Sequence, residues 1–502
     1  MIIKSSSVII ALALATLAHA KPAATKANEA ATARHLASLV AGDPKMAELT
    51  LFFSQMPKGG DLHHHYSGSI YAEQYVDWID KQGFCVYKTT YRIEANKDTV
   101  AKERDKSAAE RTCLTSGEIL ADDYTYRELL QRWSSKDFDN HGAIQPPPDR
   151  QFFQTFGFFG AVSNGNFNEG LLELKKRAIQ ENVGYIETMF KLAPMMANPD
   201  FDAKIRAAGE NDAALADAMR TWSAALEQDA TFNKGLTDYV TRIGQAHANV
   251  DDERFTMRYQ AYVVRLVAPS QVFSSMLSAF KAASTSPLIV GVNIVGQESA
   301  PPSMRDYTLH MKMFRYLKTL YPNVKLALHA GELALGDVPP DGLRFHIDQA
   351  VNVAGASRVG HGLDLAHESN AVALMKTMLE RDIPVEVNLT SNSFISGIRG
   401  DNHPVTLYRK YGVPYVISTD DAGVTRHTLA QEYVLFASRY KVPYAEIKKV
   451  SYNSLRYAFL PEEQKKRLTA QLDARYAAFE ASVAALPVGN GAVNNAATPR
   501  PR

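Results

Sequence analysis

The chain is poor in cysteine, in charge of one sign and in long apolar stretches, and each shortage closes off a class of protein. Only two cysteines, Cys85 and Cys113, occur among 502 residues, which excludes iron–sulfur clusters and cysteine-rich structural zinc sites. Charge is balanced, with 55 Lys and Arg against 54 Asp and Glu and a formal net charge of +1. The basic residues are interspersed with the acidic ones, so the clustered positive footprint that neutralises a phosphate backbone is missing, and no nucleic acid is expected as a partner. Beyond the first twenty residues no apolar run approaches the ~20 residues needed to span a bilayer, so no membrane partner is expected either. No repeat of solenoid length is present, and no G-x-G-x-x-G follows the first strand, which argues against an open doubly wound sheet.

What is present is an ordinary globular composition, 46% hydrophobic and 22% charged, suited to a small, weakly charged ligand. Residues 1–20 carry Lys4, an apolar run from Val8 to Leu17, and Ala18-His19-Ala20, the pattern of a secretory signal with cleavage expected after Ala20. The apolar run is too short for a membrane anchor, so the mature protein is expected to be exported, to the periplasm or beyond the cell. In an oxidising compartment Cys85 and Cys113 can close a disulfide; two buried thiols are the alternative. Residues 21–55 read as an Ala-rich flexible lead followed by a short helix, and residues 487–502, rich in Ala, Asn, Gly and Pro, as a disordered tail.

Between these ends, short apolar runs alternate with stretches of helical period, the signature of βα units around a parallel sheet. The runs lie near Lys58–His65, Gly184–Met189, Arg254–Val264, Leu288–Ile294, Val324–His329, Ser357–His361, Pro384–Leu389 and Tyr415–Thr419. Eight such units predict an α/β fold, a (β/α)8 TIM-type barrel over residues 56–486. More than a hundred residues separate the first two strands. The stretch 81–148 within that gap is charged, holds both cysteines and ends in Pro146-Pro147-Pro148, which predicts a disulfide-pinned insertion over one rim. Next comes Phe152-Phe153-Gln154-Thr155-Phe156, spaced for the apolar side of a helix that packs into the core or walls a pocket.

Chemistry gathers at the predicted strand ends. In Leu62-His63-His64-His65, alternate residues share a face, so His63 and His65 aim together at the barrel axis while His64 points away. A further His ends the fifth strand in His329-Ala330-Gly331-Glu332, with Glu332 one tight turn on. Val359-Gly360-His361-Gly362 ends the sixth strand, and Ser418-Thr419-Asp420-Asp421 ends the eighth with paired carboxylates. Catalytic groups of such barrels collect at this face. Strands one and eight are neighbours only if the sheet closes, so a site made of His63, His65, His329 and Asp420 requires the barrel. Three imidazoles and a carboxylate suit zinc with room left for a water, whose pKa the metal lowers to about 7. The H-x-E and P-C-x-x-C motifs of the nucleic-acid-type cytidine deaminases are absent.

These motifs, together with Met56-Pro57-Lys58, stand in the order found in the adenosine deaminase family, and from Met56 to Leu460 the chain resembles that family. The Met-Pro-Lys-Gly-Gly opening, the signal segment and the cysteine-bearing insertion most resemble its secreted, growth-factor-type branch. The resemblance implies one zinc ion per chain held by His63, His65, His329 and Asp420, and a purine nucleoside as substrate. It implies that Glu332 protonates purine N1, that His361 takes the proton of the attacking water, that Asp421 bonds N7 and that the backbone of Gly296 meets N3. The expected reaction is hydrolytic deamination of adenosine or 2′-deoxyadenosine. A homodimer is implied as well. One position departs from the pattern: Ser67 stands where intracellular members carry an acidic residue against the ribose, so a hydroxyl would meet the sugar here. Three other readings are a deaminase of another aminopurine, adenine or a modified adenosine; a different amidohydrolase that cleaves an amide or ester; and a secreted binding or growth-factor-like protein with an idle site; the positioned Glu332 argues against the second and the intact residue set against the third.

Overall fold

The computed structural model describes residues 22–140 and 145–486. The expected signal segment and C-terminal tail lie outside the described residues. Among the described residues eleven strands are formed: β1 (Lys58–His65), β2 (Cys85–Tyr87), β3 (Ile93–Glu94), β4 (Cys113–Leu114), β5 (Val183–Leu192), β6 (Thr256–Val264), β7 (Ile289–Val295), β8 (Ala327–Ala330), β9 (Arg358–His361), β10 (Val385–Val387) and β11 (Tyr415–Ile417). Eight of them make the barrel. They form two parallel half-sheets, β1-β5-β6-β7 and β8-β9-β10-β11. Single parallel bridges close the ring, Val292 to Leu326 on one side and His64 to Asp420 on the other. The second seam places the end of the last strand against the end of the first, with Asp420 N donating to His63 O at 2.8 Å and His65 N to Asp420 O at 3.1 Å.

All eight expected strands are found, with ends shifted by a few residues. The strands are buried on both faces because helices cover the outside and side chains fill the inside, so they read as near-continuous apolar runs rather than alternating ones. Polar residues inside such runs therefore face the barrel interior. Glu386 in Val385-Glu386-Val387 and Asn293 in Val292-Asn293-Ile294 are fully buried examples.

The amino-terminal region differs from expectation. In place of a flexible lead and a short helix, a helix of 19 residues runs from Pro22 to Val40, followed by a second from Met46 to Gln55. Leu36 and Leu39 of the first and Leu49 and Phe53 of the second are buried, and burial of this apolar stripe, more than intrinsic propensity, holds such helices in place.

The insertion after β1 carries the antiparallel sheet β3-β2-β4 and a disulfide between Cys85 and Cys113 that joins β2 to β4. Local signals fix its helices. The Asn96 side chain accepts from Asp98 N and Thr99 N to start Lys97–Arg104, and Thr115 with Glu118 forms a reciprocal capping box on Ser116–Ala121. The helix Pro148–Ser163 that follows begins with proline at its first turn, where the missing N–H would have had no partner anyway.

Candidate active site

At the carboxyl ends of the barrel strands lies a cavity of about 370 Å³. Its floor holds His65, His329, Glu332, His361, Asp420 and Asp421; its walls include Ser67, Gly296 and the side chains of Phe152, Phe153 and Phe156. The Phe helix thus does both things the sequence allowed: Phe152 is buried, while Phe153 and Phe156 are partly exposed to the cavity.

The donor atoms of His63, His65, His329 and Asp420 converge within 4.8 Å of one another. His65 Nε2 lies 3.3 Å from His329 Nε2, and Asp420 Oδ1 lies 3.3 Å from His63 Nε2 and 3.1 Å from His65 Nε2. As expected, His64 turns away, its Nδ1 lying 2.9 Å from Thr188 Oγ1. Two of the converging residues sit at left-handed backbone positions, His361 with φ 66° and Asp420 with φ 62°. Strain of this kind at non-glycine residues persists where surrounding structure imposes it and gathers at functional sites.

The cluster fits a cation. His63 Nε2 is buried without a hydrogen-bond partner among the described residues. Burial opposes charging the His63 ring, yet the carboxylates of Asp420 and Glu386 outweigh it and raise its pKa to about 10. Asp420 is likewise held well below the usual carboxylate range, against its burial, by the His63 and His65 rings. Positive charge is what this place is built to hold.

The ring orientations are set from beneath. His63 Nδ1 donates to Glu386 Oε2 at 2.7 Å, which leaves Nε2 of the neutral ring bare for a metal. Asn293 Oδ1 accepts from two backbone groups, His329 N and Ile294 N. It is therefore oxygen that meets His329 Nδ1 at 2.9 Å, and Nε2 of that ring is bare as well. The two supports are joined through the barrel interior. Arg358 spans Glu386 and Glu187, Gln260 donates to Glu187 at 3.0 Å, and Asn293 donates to Gln260 at 2.9 Å. Such partners fix tautomer and orientation of ligand histidines. None of them was singled out in the sequence; the available signal was a lone polar residue within an apolar strand.

Around the donor cluster stand the acid–base groups. Glu332 Oε1 lies 3.7 Å from His361 Nε2. Burial, then the charge of Asp420, pushes the Glu332 carboxyl well above its ordinary pKa and so favours its protonated form. The same two causes raise Asp421, whose Oδ1 is buried without a hydrogen-bond partner among the described residues. Glu298 fixes the turn that carries Glu332, accepting Gly331 N and Glu332 N, both at 3.0 Å. Gly68 admits Asp421: a Cβ there would fall 1.5 Å from Asp421 Oδ1.

Comparison with known proteins meets this geometry. Residues 232–475 match the family model for adenosine deaminase. Over this stretch the chain is similar to the adenosine deaminase family. That stretch holds Gly296, His329, Glu332, His361, Asp420 and Asp421, while His63, His65 and Ser67 lie before it and are joined to the site by the fold. Similar curated proteins include the adenosine deaminase of Xenopus tropicalis, 30% identical over 190 residues that make up 38% of this chain and 49% of the relative. That of Pectobacterium atrosepticum is 32% identical over 181 residues, 36% of this chain and 49% of the relative. The chain thus spans about half the length of the curated relatives it matches. Among solved structures, an N6-mAMP deaminase from Arabidopsis superposes with a TM-score of 0.52 at 16% identity, covering 84% of this chain and 99% of its own. At that identity the likeness shows a shared fold.

Proposed function

We propose that the protein is a zinc-dependent deaminase that converts adenosine and 2′-deoxyadenosine to the inosine nucleosides and ammonia. The observation that carries this reading is the convergence, at one cavity, of a His63–His65–His329–Asp420 donor set with two buried carboxyl groups whose pKa is raised, Glu332 and Asp421.

A zinc ion on those four residues supplies Lewis acidity that brings the pKa of a water to about 7. Everything else falls to the chain. Glu332 holds a proton for purine N1, and protonation there makes the adjacent C6 electrophilic. Asp421, its pKa raised by burial and its Oδ1 without a partner among the described residues, donates to N7 in its protonated form and stabilises charge that develops in the ring. Gly296, at φ 102° and on the cavity wall, offers its backbone to N3. With C6 at the donor cluster, the N9 substituent points away from it, toward Ser67 and the Phe152–Phe153–Phe156 wall, which also excludes water.

No Lys or Arg lines the cavity among the described residues. This supports a nucleoside over a nucleotide, because a 5′-phosphate entering the cavity would lack a charged partner. The test is the ultraviolet absorbance change of adenosine, 2′-deoxyadenosine, adenine and AMP with purified protein, with and without a chelator. Chelator-sensitive turnover of the two nucleosides is expected, with AMP at least tenfold slower; turnover of none of them by zinc-loaded protein would refute the reading. The same reading places the mature protein outside the cytoplasm. The Cys85–Cys113 disulfide supports export, and a mature amino terminus at Lys21 by mass spectrometry is the expected result.

A further inference from the structure

The two half-sheets of the barrel bring opposite chemistry to the cavity. The half β8-β9-β10-β11, with the turns that follow its strands, carries Glu332, His361, Asp420 and Asp421. The character of the half β1-β5-β6-β7 is plainest along β6 and β7, where alternate residues face the barrel axis. On β6 the inward series runs from Gln260, in the layer beneath the donors, to Tyr262 and Val264 in the cavity wall, with Leu266 at the rim, 40% exposed. On β7 it runs from Asn293 to Val295 and then Gln297. Met189 of β5 lines the same cavity, and the helix Pro148–Ser163 adds the rings of Phe153 and Phe156. Four residues of strand climb about 13 Å, so from the level of the donors to the mouth this side is largely apolar. Its polar groups are few, and most are taken. The Tyr262 hydroxyl is bonded to the backbone of Leu192, and Gln297 Nε2 donates to Ser299 Oγ at 3.1 Å. That leaves Gln297 Oε1 and the Ser67 hydroxyl without a partner among the described residues, enough for two sugar hydroxyls. Adenosine brings three.

We infer that the site is shaped for purine nucleosides whose 5′ carbon bears an apolar group, an alkyl or alkylthio substituent, in place of the hydroxyl. The inference rests on the deaminase reading and narrows its substrate class. With the 2′- and 3′-hydroxyls at Ser67 and Gln297, the 5′ substituent lies against Val264, Leu266 and the rings of Phe153 and Phe156. A hydroxyl there loses its water and gains no partner, whereas an apolar group gains from the same wall. A thioether sulfur gains further, because sulfur against an aromatic ring is a favourable contact. At about 370 Å³ the cavity stands near the lower end of small-molecule sites, which suits a short substituent. The reaction is unchanged: water adds at C6, the C6–N bond breaks, ammonia leaves, and the 5′ bond is not touched.

The test compares adenosine, 5′-deoxyadenosine and 5′-deoxy-5′-methylthioadenosine as substrates of zinc-loaded protein, followed by absorbance. In an apolar pocket one methylene is worth about 10–200-fold, so kcat/KM for the methylthio compound is expected to exceed that for adenosine by about tenfold. A methylthio compound no better than adenosine would overturn the inference. Binding separates this result from the deaminase reading, because the deaminated products need no turnover. In calorimetry 5′-deoxy-5′-methylthioinosine is expected to bind about tenfold tighter than inosine, and equal or weaker binding would overturn the inference. Tighter binding without turnover of any nucleoside would uphold the pocket and refute the deaminase. The wall itself is tested by Val264→Thr, which keeps the shape and adds a hydroxyl, and by Leu266→Asn at the exposed rim. In each the preference for the methylthio compound over adenosine is expected to fall by about threefold or more; a ratio unchanged in both folded variants would overturn the assignment of this wall.

Discussion

Two polar layers cross the barrel axis, and they differ in how their charges are answered. The upper layer, at the strand ends, holds His63, His65, His329, Glu332, His361, Asp420 and Asp421. In it His63 Nε2, His361 Nε2 and Asp421 Oδ1 are buried with no hydrogen-bond partner among the described residues. The lower layer holds Glu187, Gln260, Asn293, Arg358 and Glu386, all fully buried, with each residue bonded to the next. A buried charge or dipole is expensive unless paired. The lower layer meets that demand within itself and acts as scaffold, whereas the upper layer leaves it open for an ion and a polar substrate. Across these two layers the unanswered buried atoms lie at the site and the answered ones support it.

The sharpest way to break this contrast is Glu332→Gln in the upper layer. Turnover of adenosine should fall by about 10³-fold or more while bound zinc is unchanged; near-normal turnover would remove Glu332 from the chemistry. In the lower layer, Glu386→Gln should act through His63 and weaken zinc binding by about 10–100-fold in a chelator competition, and unaltered affinity would mean that the layer supports the fold alone. The proton on Glu332 gives a third test. Its pKa is raised, so the protonated form persists to higher pH than that of an ordinary glutamate and is lost as pH rises through the raised value; kcat/KM should then fall about tenfold per pH unit on that alkaline limb. Activity that climbs with pH there would contradict a proton donor. The smallest effect is expected far from both layers. Serine at Cys85 and Cys113 together should leave kcat within about twofold, while the insertion loses roughly 3–4 kcal/mol of stability from opening its loop; a large drop in kcat would show that the disulfide helps shape the cavity wall.

How much of this could be read from the chain follows the same division. The strands were legible because both their faces are buried and apolar, and the upper layer because its residues cluster at strand ends in short motifs such as His329-Ala330-Gly331-Glu332. The lower layer was not, since its members stand alone in apolar strands and find each other across the barrel: Arg358 pairs with Glu187 from 171 residues away. A run of buried hydrogen bonds from Val405 N to His403 Nδ1, from His403 Nε2 to Asn392 Oδ1 and from Asn392 Nδ2 to His361 Nδ1 was hidden for another reason. A tautomer depends on the direction of each hydrogen bond, and only packing in three dimensions fixes that. The amino-terminal helices were under-read because tertiary burial, absent from local composition, stabilises them.

The central claim is that one metal ion on the upper layer turns this cavity into a deaminase. The most direct measurement is ammonia release from adenosine by metal-stripped protein titrated with zinc. The account predicts no release without zinc and a rate that rises linearly to a break at one zinc per chain. Release by stripped protein, or a rate indifferent to added zinc, would contradict it.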